Sequence, residues 1–238
     1  MKLRYGLIKT SLIDYPAKVS AVVFTHGCNF RCPYCHNPEL VEGTPPEEFI
    51  DREELLRFLD KRKSVLGGVV ITGGEPLIHP QIPALCEEIK SRGLSLKVDT
   101  NGSFPERLKA CAPDFVALDL KTDFSRYPLL LPSATDSERI SEAIRETLRY
   151  LKESGVAFQL RTTMVPGIVG PEELPEVLAA IERELGESRG RYLLSGFRNH
   201  KTLDPSLIER APYGDVDLYS SAELIERAGF ETQVRLNR

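Results

Sequence analysis

The chain is 238 residues long, room for one large α/β domain or two small ones. Hydrophobic residues at 41% and charged residues at 28% describe an ordinary globular protein, and a net charge of −4 excludes a surface built to grip nucleic-acid backbones. No apolar run approaches the roughly 20 residues a membrane helix needs, and Met1–Gly6 opens no signal peptide, so the expected location is the cytoplasm, away from any membrane.

In chain order, Leu7 to Lys18 reads as a strand or hairpin lead-in broken at Asp14-Tyr15-Pro16. Ser20 to Thr25 is near-continuous Ala, Val and Phe, as in a parallel strand buried on both faces. A cysteine-rich loop and a Pro- and Glu-rich connection, Val41 to Ile50, follow. Asp51 with Glu54 caps a helix whose apolar stripe is Leu55, Leu56, Phe58 and Leu59. Gly68 to Thr72 is a β-branched strand ending in Gly73-Gly74-Glu75-Pro76. A helix entered at Pro80 carries Ile82, Leu85, Cys86 and Ile89 at i, i+3, i+4, i+7 and stops at Gly93.

The alternation continues. Leu94–Val98 is a strand ending in Asp99-Thr100-Asn101-Gly102, followed by a helix over Pro105–Cys111. Phe115–Leu120 is the next strand, with the helix Glu138–Ser154 after it. Strand Val156–Thr162 precedes helix Pro171–Leu185, and strand Arg191–Phe197 precedes helix Ser221–Ala228. The tail from Phe230 alternates apolar and polar and suits an edge strand. Strand and helix alternating six times imply a parallel sheet with right-handed crossovers, and both an open doubly wound sheet and a barrel, complete or partial, fit that pattern. Polar and glycine-rich clusters recur where successive strands end, the edge at which such sheets bind ligands.

The chemistry concentrates in the first of those clusters. Cys28, Cys32 and Cys35 form a C-x3-C-x2-C set, three of the five cysteines within eight positions. The odd count and the clustering exclude a disulfide framework. Thiolates at this density bind zinc or an iron–sulfur cluster. A structural zinc needs four closed ligands, no second cysteine pair lies nearby, and His36 beside Cys35 would strain to share one ion with it. A cubane held by three thiolates leaves one iron open, which a catalytic metal requires.

That motif after the first buried strand, with Tyr34 just before its third cysteine, resembles the radical S-adenosylmethionine superfamily. Gly73-Gly74-Glu75-Pro76 is similar to that superfamily's glycine-rich element. Cys35-His36-Asn37-Pro38-Glu39-Leu40, Asp99-Thr100-Asn101-Gly102, Leu118-Asp119-Leu120-Lys121 and the segment from Arg161 to Gly167 look like the activating enzymes of glycyl radical enzymes. Among these the likeness is closest to the activating proteins of anaerobic ribonucleoside-triphosphate reductase. The resemblance covers nearly the whole chain.

The resemblance implies an α/β fold, a partial (β/α)6 TIM-like barrel, in a single domain over residues 1–238. Residues 1–19 would be a lead-in, 20–228 six βα units and 229–238 a tail. It implies a [4Fe–4S] cluster on Cys28, Cys32 and Cys35, with S-adenosylmethionine on the fourth iron. Tyr34 and the backbone near His36 would lie along the adenine. Gly73, Gly74 and Glu75 would receive the methionine ammonium. Asp99, Thr100 and Asp119 match positions near the methionine end, where some relatives also hold a monovalent cation. Lys121 and Arg161 match basic positions suited to a carboxylate and to ribose hydroxyls.

The activity implied is reductive cleavage of S-adenosylmethionine, with electrons from flavodoxin or ferredoxin. The 5′-deoxyadenosyl radical would take hydrogen from a glycine of a partner enzyme, anaerobic ribonucleotide reductase by the closest likeness. One departure touches the partner: Asp14-Tyr15-Pro16-Ala17 stands where the pyruvate formate-lyase activator has Asp-Gly-Pro-Gly. Two alternatives stand beside this reading, a radical enzyme acting on a small molecule and a non-catalytic metal-binding scaffold. Outside the motif, Cys86 and Cys111 read as core, His79 as a polar group at a helix entry, and His200 equally as a cofactor contact or a solvated loop residue.

Overall fold

The computed structural model describes residues 3–237; Met1, Lys2 and Arg238, at the ends of the expected lead-in and tail, lie outside the described residues. The chain forms strands β1 (Tyr5–Ser11), β2 (Ser20–Thr25), β3 (Gly68–Gly73), β4 (Ser95–Thr100), β5 (Phe115–Asp119), β6 (Ala157–Met164), β7 (Arg191–Gly196) and β8 (Glu231–Arg235). Its α-helices are α1 (Arg52–Arg62), α2 (Ile82–Ser91), α3 (Pro105–Cys111), α4 (Ser137–Ser154), α5 (Leu174–Leu185) and α6 (Asp215–Arg227). Each strand from β2 to β7 is followed by one α-helix, so the six βα units expected of the partial (β/α)6 fold are present in order. No helix of the described residues is long and apolar enough to cross a membrane.

Contacts gather the chain into two compact units. The first holds the residues up to Asn29, Glu39–Thr100 and Phe104–Val116; the second holds Phe30–Pro38, Asn101–Ser103 and everything from Ala117. In the first unit, β1 pairs antiparallel with β2, and β2, β3 and β4 run parallel, with Ser20 opposite Gly68 and Val69 opposite Leu96. The side chains of β2 and β3 are mostly buried on both faces, which is why those two stretches are β-branched and apolar without alternation. Leu55 and Leu59 of α1 and Ile82, Leu85, Cys86 and Ile89 of α2 are the buried stripes that periodicity predicted. Tyr15 packs with Val22, Val70 and Phe115.

In the second unit, β6, β7 and β8 run parallel, with Gln159 opposite Arg191 and Arg191 opposite Glu231. Ile140, Ile144, Leu148 and Leu151 form the buried stripe of α4. Val177, Leu178 and Ile181 of α5 and Leu218, Ala222 and Ile225 of α6 are buried in turn.

Several boundaries differ from expectation for identifiable reasons. Helices α2 and α5 begin after Pro80 and Pro171, at Ile82 and Leu174, because Pro83 and Pro175 occupy the first-turn position where a missing N–H costs nothing. Helix α6 begins at Asp215 rather than Ser221: the Asp217 carboxylate accepts the Gly214 N–H at 3.0 Å and starts the helix. Val216 and Tyr219, 80% and 53% exposed, leave its first turns without the apolar stripe that betrays a helix. Strand β6 runs on to Met164 because Thr163 and Met164 still find partners in Ser195 and Gly196. Strand β4 likewise extends to Thr100, so Asp99 and Thr100 are strand residues.

The tightest packing in the first unit is where β3 ends. Gly73 has φ +134°, and a Cβ there would lie 2.2 Å from the Thr25 carbonyl oxygen. A Cβ on Gly74 would lie 2.2 Å from the Gly27 oxygen and 2.7 Å from the Leu40 oxygen. Both obstacles are backbone, which cannot rotate aside. Gly74→Ala should therefore destabilise the protein by about 3 kcal/mol in urea denaturation. Gly155→Ala isolates backbone strain, since Gly155 has φ +65° and open space around it, and should cost about 1 kcal/mol. Equal losses in the two variants would show that packing at Gly74 is not the constraint.

Candidate active site

The strand ends of the first unit build one half of the predicted constellation. Gly74 donates its N–H to the Thr25 carbonyl at 3.1 Å, and Glu75 donates its N–H to the Gly27 carbonyl at 2.9 Å. Gly27 and Cys28 in turn donate to the carbonyls of Leu40 and Val41 at 2.8 and 3.2 Å. Cys28 is half-buried at the base of the loop so clamped. Glu75 is buried, 1% exposed; its Oε1 accepts the Leu77 N–H at 3.1 Å and the Thr100 hydroxyl at 2.8 Å. The 3₁₀ turn Pro76–Ile78 thereby has its cap, and Thr100 is brought to Glu75 as the sequence grouped them. The glycine pair thus has a reason beyond admitting a ligand: no other residue fits against β2.

Asp99 lies one residue before Thr100 on β4, with Lys97 two residues earlier on the same face. Lys97, 4% exposed, holds the Asp99 carboxylate at 2.5 Å. Sequence reasoning passed over this buried cation. The period-two spacing from Asp99 along one strand was the available signal.

The second unit gathers the others. Arg161 of β6 bonds Asp119 of β5 through Nε at 2.6 Å, and Lys121 reaches the other carboxylate oxygen at 3.3 Å. Burial would push the Asp119 carboxyl up, but the adjoining Arg161 and Lys121 outweigh it and hold it down at about 2. Beneath them, the Thr162 hydroxyl bonds the Leu120 carbonyl at 2.7 Å and the Tyr192 hydroxyl at 2.6 Å, fixing the β5 and β6 ends to each other.

The loop Phe30–Pro38 is fastened within this unit along its length. Phe30 packs edge-on against Tyr127 with ring centroids 6.0 Å apart. Arg31 donates to the Leu130 carbonyl at 2.7 Å, and Asp204 donates to the Pro33 carbonyl at 2.8 Å. His36 Nδ1 donates to the Lys201 carbonyl at 3.0 Å. Cys35 is half-buried; Cys32 and Tyr34 are buried, 7% and 6% exposed. Burial pushes the Cys32 thiol up to about 11, partly offset by Lys121, and raises the Tyr34 phenol well above its usual range.

The His36 ring lies in a stack, 5.6 Å from His200 and 6.0 Å from Phe197, with interplanar angles of 15° and 21°. Burial, with nearby His200, Arg198 and Lys201, lowers its pKa against the backbone bond that raises it. His200 is an exposed loop residue that stacks on His36. Phe197, read from sequence only as the end of a strand, is the stack's buried wall. Cys86 and Cys111 are buried as read.

No group of three or more His, Cys, Asp or Glu among the described residues is gathered around a single metal-ion position. A cluster, in which each thiolate takes a different iron, does not ask for such a group.

A model of the radical SAM superfamily matches residues 22–181. A protein named for glycyl-radical enzyme activation in Methanocaldococcus jannaschii is 32% identical over 186 residues, 74% of either chain. The pyruvate formate-lyase-activating enzyme of Clostridium pasteurianum is 31% identical over 194 residues, 76% of each. The 7-carboxy-7-deazaguanine synthase of Aquifex aeolicus is 29% identical over 180 residues, 70% of this chain and 76% of that one. By fold, the chain is similar to SuiB of Streptococcus suis, solved with S-adenosylmethionine bound, at a TM-score of 0.62 and 16% identity. That match takes in 88% of this chain but 48% of SuiB, so the chain spans about half the length of that structure.

The paired charges make an acid-dependence prediction. A carboxyl whose folded pKa is lowered from 3.8 to about 2 contributes stability at pH above about 4 and loses it as pH falls towards 2. Asp119→Asn removes that contribution. The gap in urea midpoint between wild type and Asp119→Asn should be widest at pH 6 and close between pH 4 and 2; a gap that persists at pH 2 would contradict the pairing.

Proposed function

The chain belongs to the radical SAM superfamily, and we propose that it is an activating enzyme that generates a glycyl radical on a partner protein. The observation carrying this is the 32% identity, across 74% of both chains, to the M. jannaschii protein named for that activity. The donor set fits the family's cofactors: Cys28, Cys32 and Cys35 are not disulfide-bonded, and three thiolates in one short loop suit a [4Fe–4S] cluster better than a closed zinc site. When bound, the cluster and S-adenosylmethionine supply one-electron cleavage of the sulfonium and a 5′-deoxyadenosyl radical able to take hydrogen from a glycine Cα.

The chain's own residues bind and orient. Cys28, Cys32 and Cys35 hold the cluster, and Cys32 must lose its proton to do so, against the burial that raises its pKa. Gly73, Gly74 and Glu75 receive the methionine ammonium; Thr100 keeps the Glu75 carboxylate turned by its hydroxyl. Lys121 and Arg161, steadied by Asp119, meet the methionine carboxylate and the ribose hydroxyls. Tyr34 and His36 lie along the adenine, His36 with its ring already ordered by Phe197 and His200. Asp99 is engaged by Lys97. The partner is anaerobic ribonucleotide reductase, the electron donor a flavodoxin or ferredoxin, and the compartment the cytoplasm.

A second reading, a radical enzyme acting on a small molecule, is favoured by the 29% identity to the 7-carboxy-7-deazaguanine synthase. The two separate cleanly. Anaerobically reconstituted protein with dithionite and S-adenosylmethionine should release 5′-deoxyadenosine, and Cys32→Ala should reduce release to background. Adding anaerobic ribonucleotide reductase should give the electron paramagnetic resonance doublet of a glycyl radical. Cleavage without a doublet, together with turnover of a purine-like or cofactor precursor, would replace this function with the second reading.

A further inference from the structure

Three successive carbonyls precede Cys28, those of Thr25, His26 and Gly27, and all are taken by donors from one turn of the first unit. The Gly74 N–H takes the first at 3.1 Å and the Glu75 N–H takes the third at 2.9 Å. The middle one is taken by a side chain: His79 Nε2 lies 2.8 Å from the His26 carbonyl. A carbonyl only accepts, so Nε2 carries the proton and donates. This holds whether the ring is neutral or cationic. His79 is half-buried and follows the 3₁₀ turn Pro76–Ile78 directly, and Ile78 packs where a Cβ on Gly27 would stand, at 2.9 Å. The His26 ring continues the tie outward, its Nε2 donating to the Glu42 carbonyl at 3.2 Å.

We infer that His79 is a positioning residue for the cluster: its Nε2–H holds the His26 carbonyl and so sets the backbone that presents Cys28. The inference rests on the proposed role of Cys28 as a cluster ligand. Its neighbours in the turn act through main-chain N–H groups, which only proline would delete and at the cost of the turn itself, so His79 is where this restraint can be removed with the backbone kept. A group that orients a metal ligand through one hydrogen bond commonly sets metal affinity while leaving the fold intact.

The test uses the full chain, reconstituted anaerobically with iron and sulfide. Leu in place of His79 keeps the volume and removes the donor; His79→Gln offers an amide N–H at similar reach; His79→Asn offers one that is too short. Three quantities are read: the rate of iron loss to a chelator, the electron paramagnetic resonance spectrum of the reduced cluster with and without S-adenosylmethionine, and the melting temperature of the metal-free chain. His79→Leu and His79→Asn should lose iron about tenfold faster than wild type and show an altered spectrum, and His79→Gln should restore both. Wild-type iron retention and spectrum in His79→Leu would overturn the inference. So would a melting temperature that tracks iron loss across all variants, which marks a structural role alone. If the Leu variant does not fold, the Gln and Asn pair decides on the same readouts. Cys28→Ala separates the two failures: if it holds iron and gives the spectrum of wild type, or if wild type takes up no cluster, the ligand assignment itself falls and the inference with it.

Discussion

Backbone contact at the end of β3 is the constraint on which the first unit depends. Two glycines in succession let that strand's exit touch the exit of β2, with carbonyl oxygens where side chains would otherwise begin. The N–H groups freed to point at β2 then close hydrogen bonds with Thr25 and Gly27, which satisfies buried polar groups that close packing would have stranded. From this one approach follow the turn Pro76–Ile78, the burial of Glu75 with two donors on its carboxylate, and the return of His79 towards His26. The conformational freedom of glycine is used here for proximity more than for its unusual φ.

The second unit solves a different problem, that of keeping cations oriented near a strand edge. Arg161 and Lys121 come from different strand ends and share one carboxylate. Their shared partner fixes both heads at the cost of desolvating Asp119, and two opposite charges are enough to reverse the burial penalty. Long side chains so held lose less entropy when a ligand arrives. The stacked rings of Phe197, His36 and His200 do for an aromatic face what Asp119 does for the cations.

Much of this was legible in the chain. Strand and helix order followed from periodicity, and Gly73, Gly74, Glu75, Asp99, Thr100, Asp119 and Lys121 sit at or beside strand ends, where they interrupt the apolar pattern, while Arg161 lies within β6 and Cys32 to His36 lie out on the loop after β2. What periodicity cannot carry is pairing at a distance. His36 and Lys201 meet across 165 positions, and Asp119 and Arg161 across 42. Each residue alone drew notice; nothing local says which turns to which. Lys97 carries no local mark of its own; its same-face neighbour Asp99 makes it a buried pair. The early start of α6 was missed because its signal is a single carboxylate on Gly214.

The paired bonds from Gly27 to Leu40 and from Cys28 to Val41 have a kinetic meaning. They shut the mouth of the cysteine loop with protein groups alone, so the entropy of closing about a dozen residues is lost during folding and not during metal uptake. A chain without that closure would have to gather its loop as each iron arrived, and misligated species would accumulate along the way. Here Cys28, the first of the three proposed ligands, already sits on a settled frame. Assembly of the metal centre then becomes a search by short flexible segments over a fixed start, closer to annealing than to nucleation.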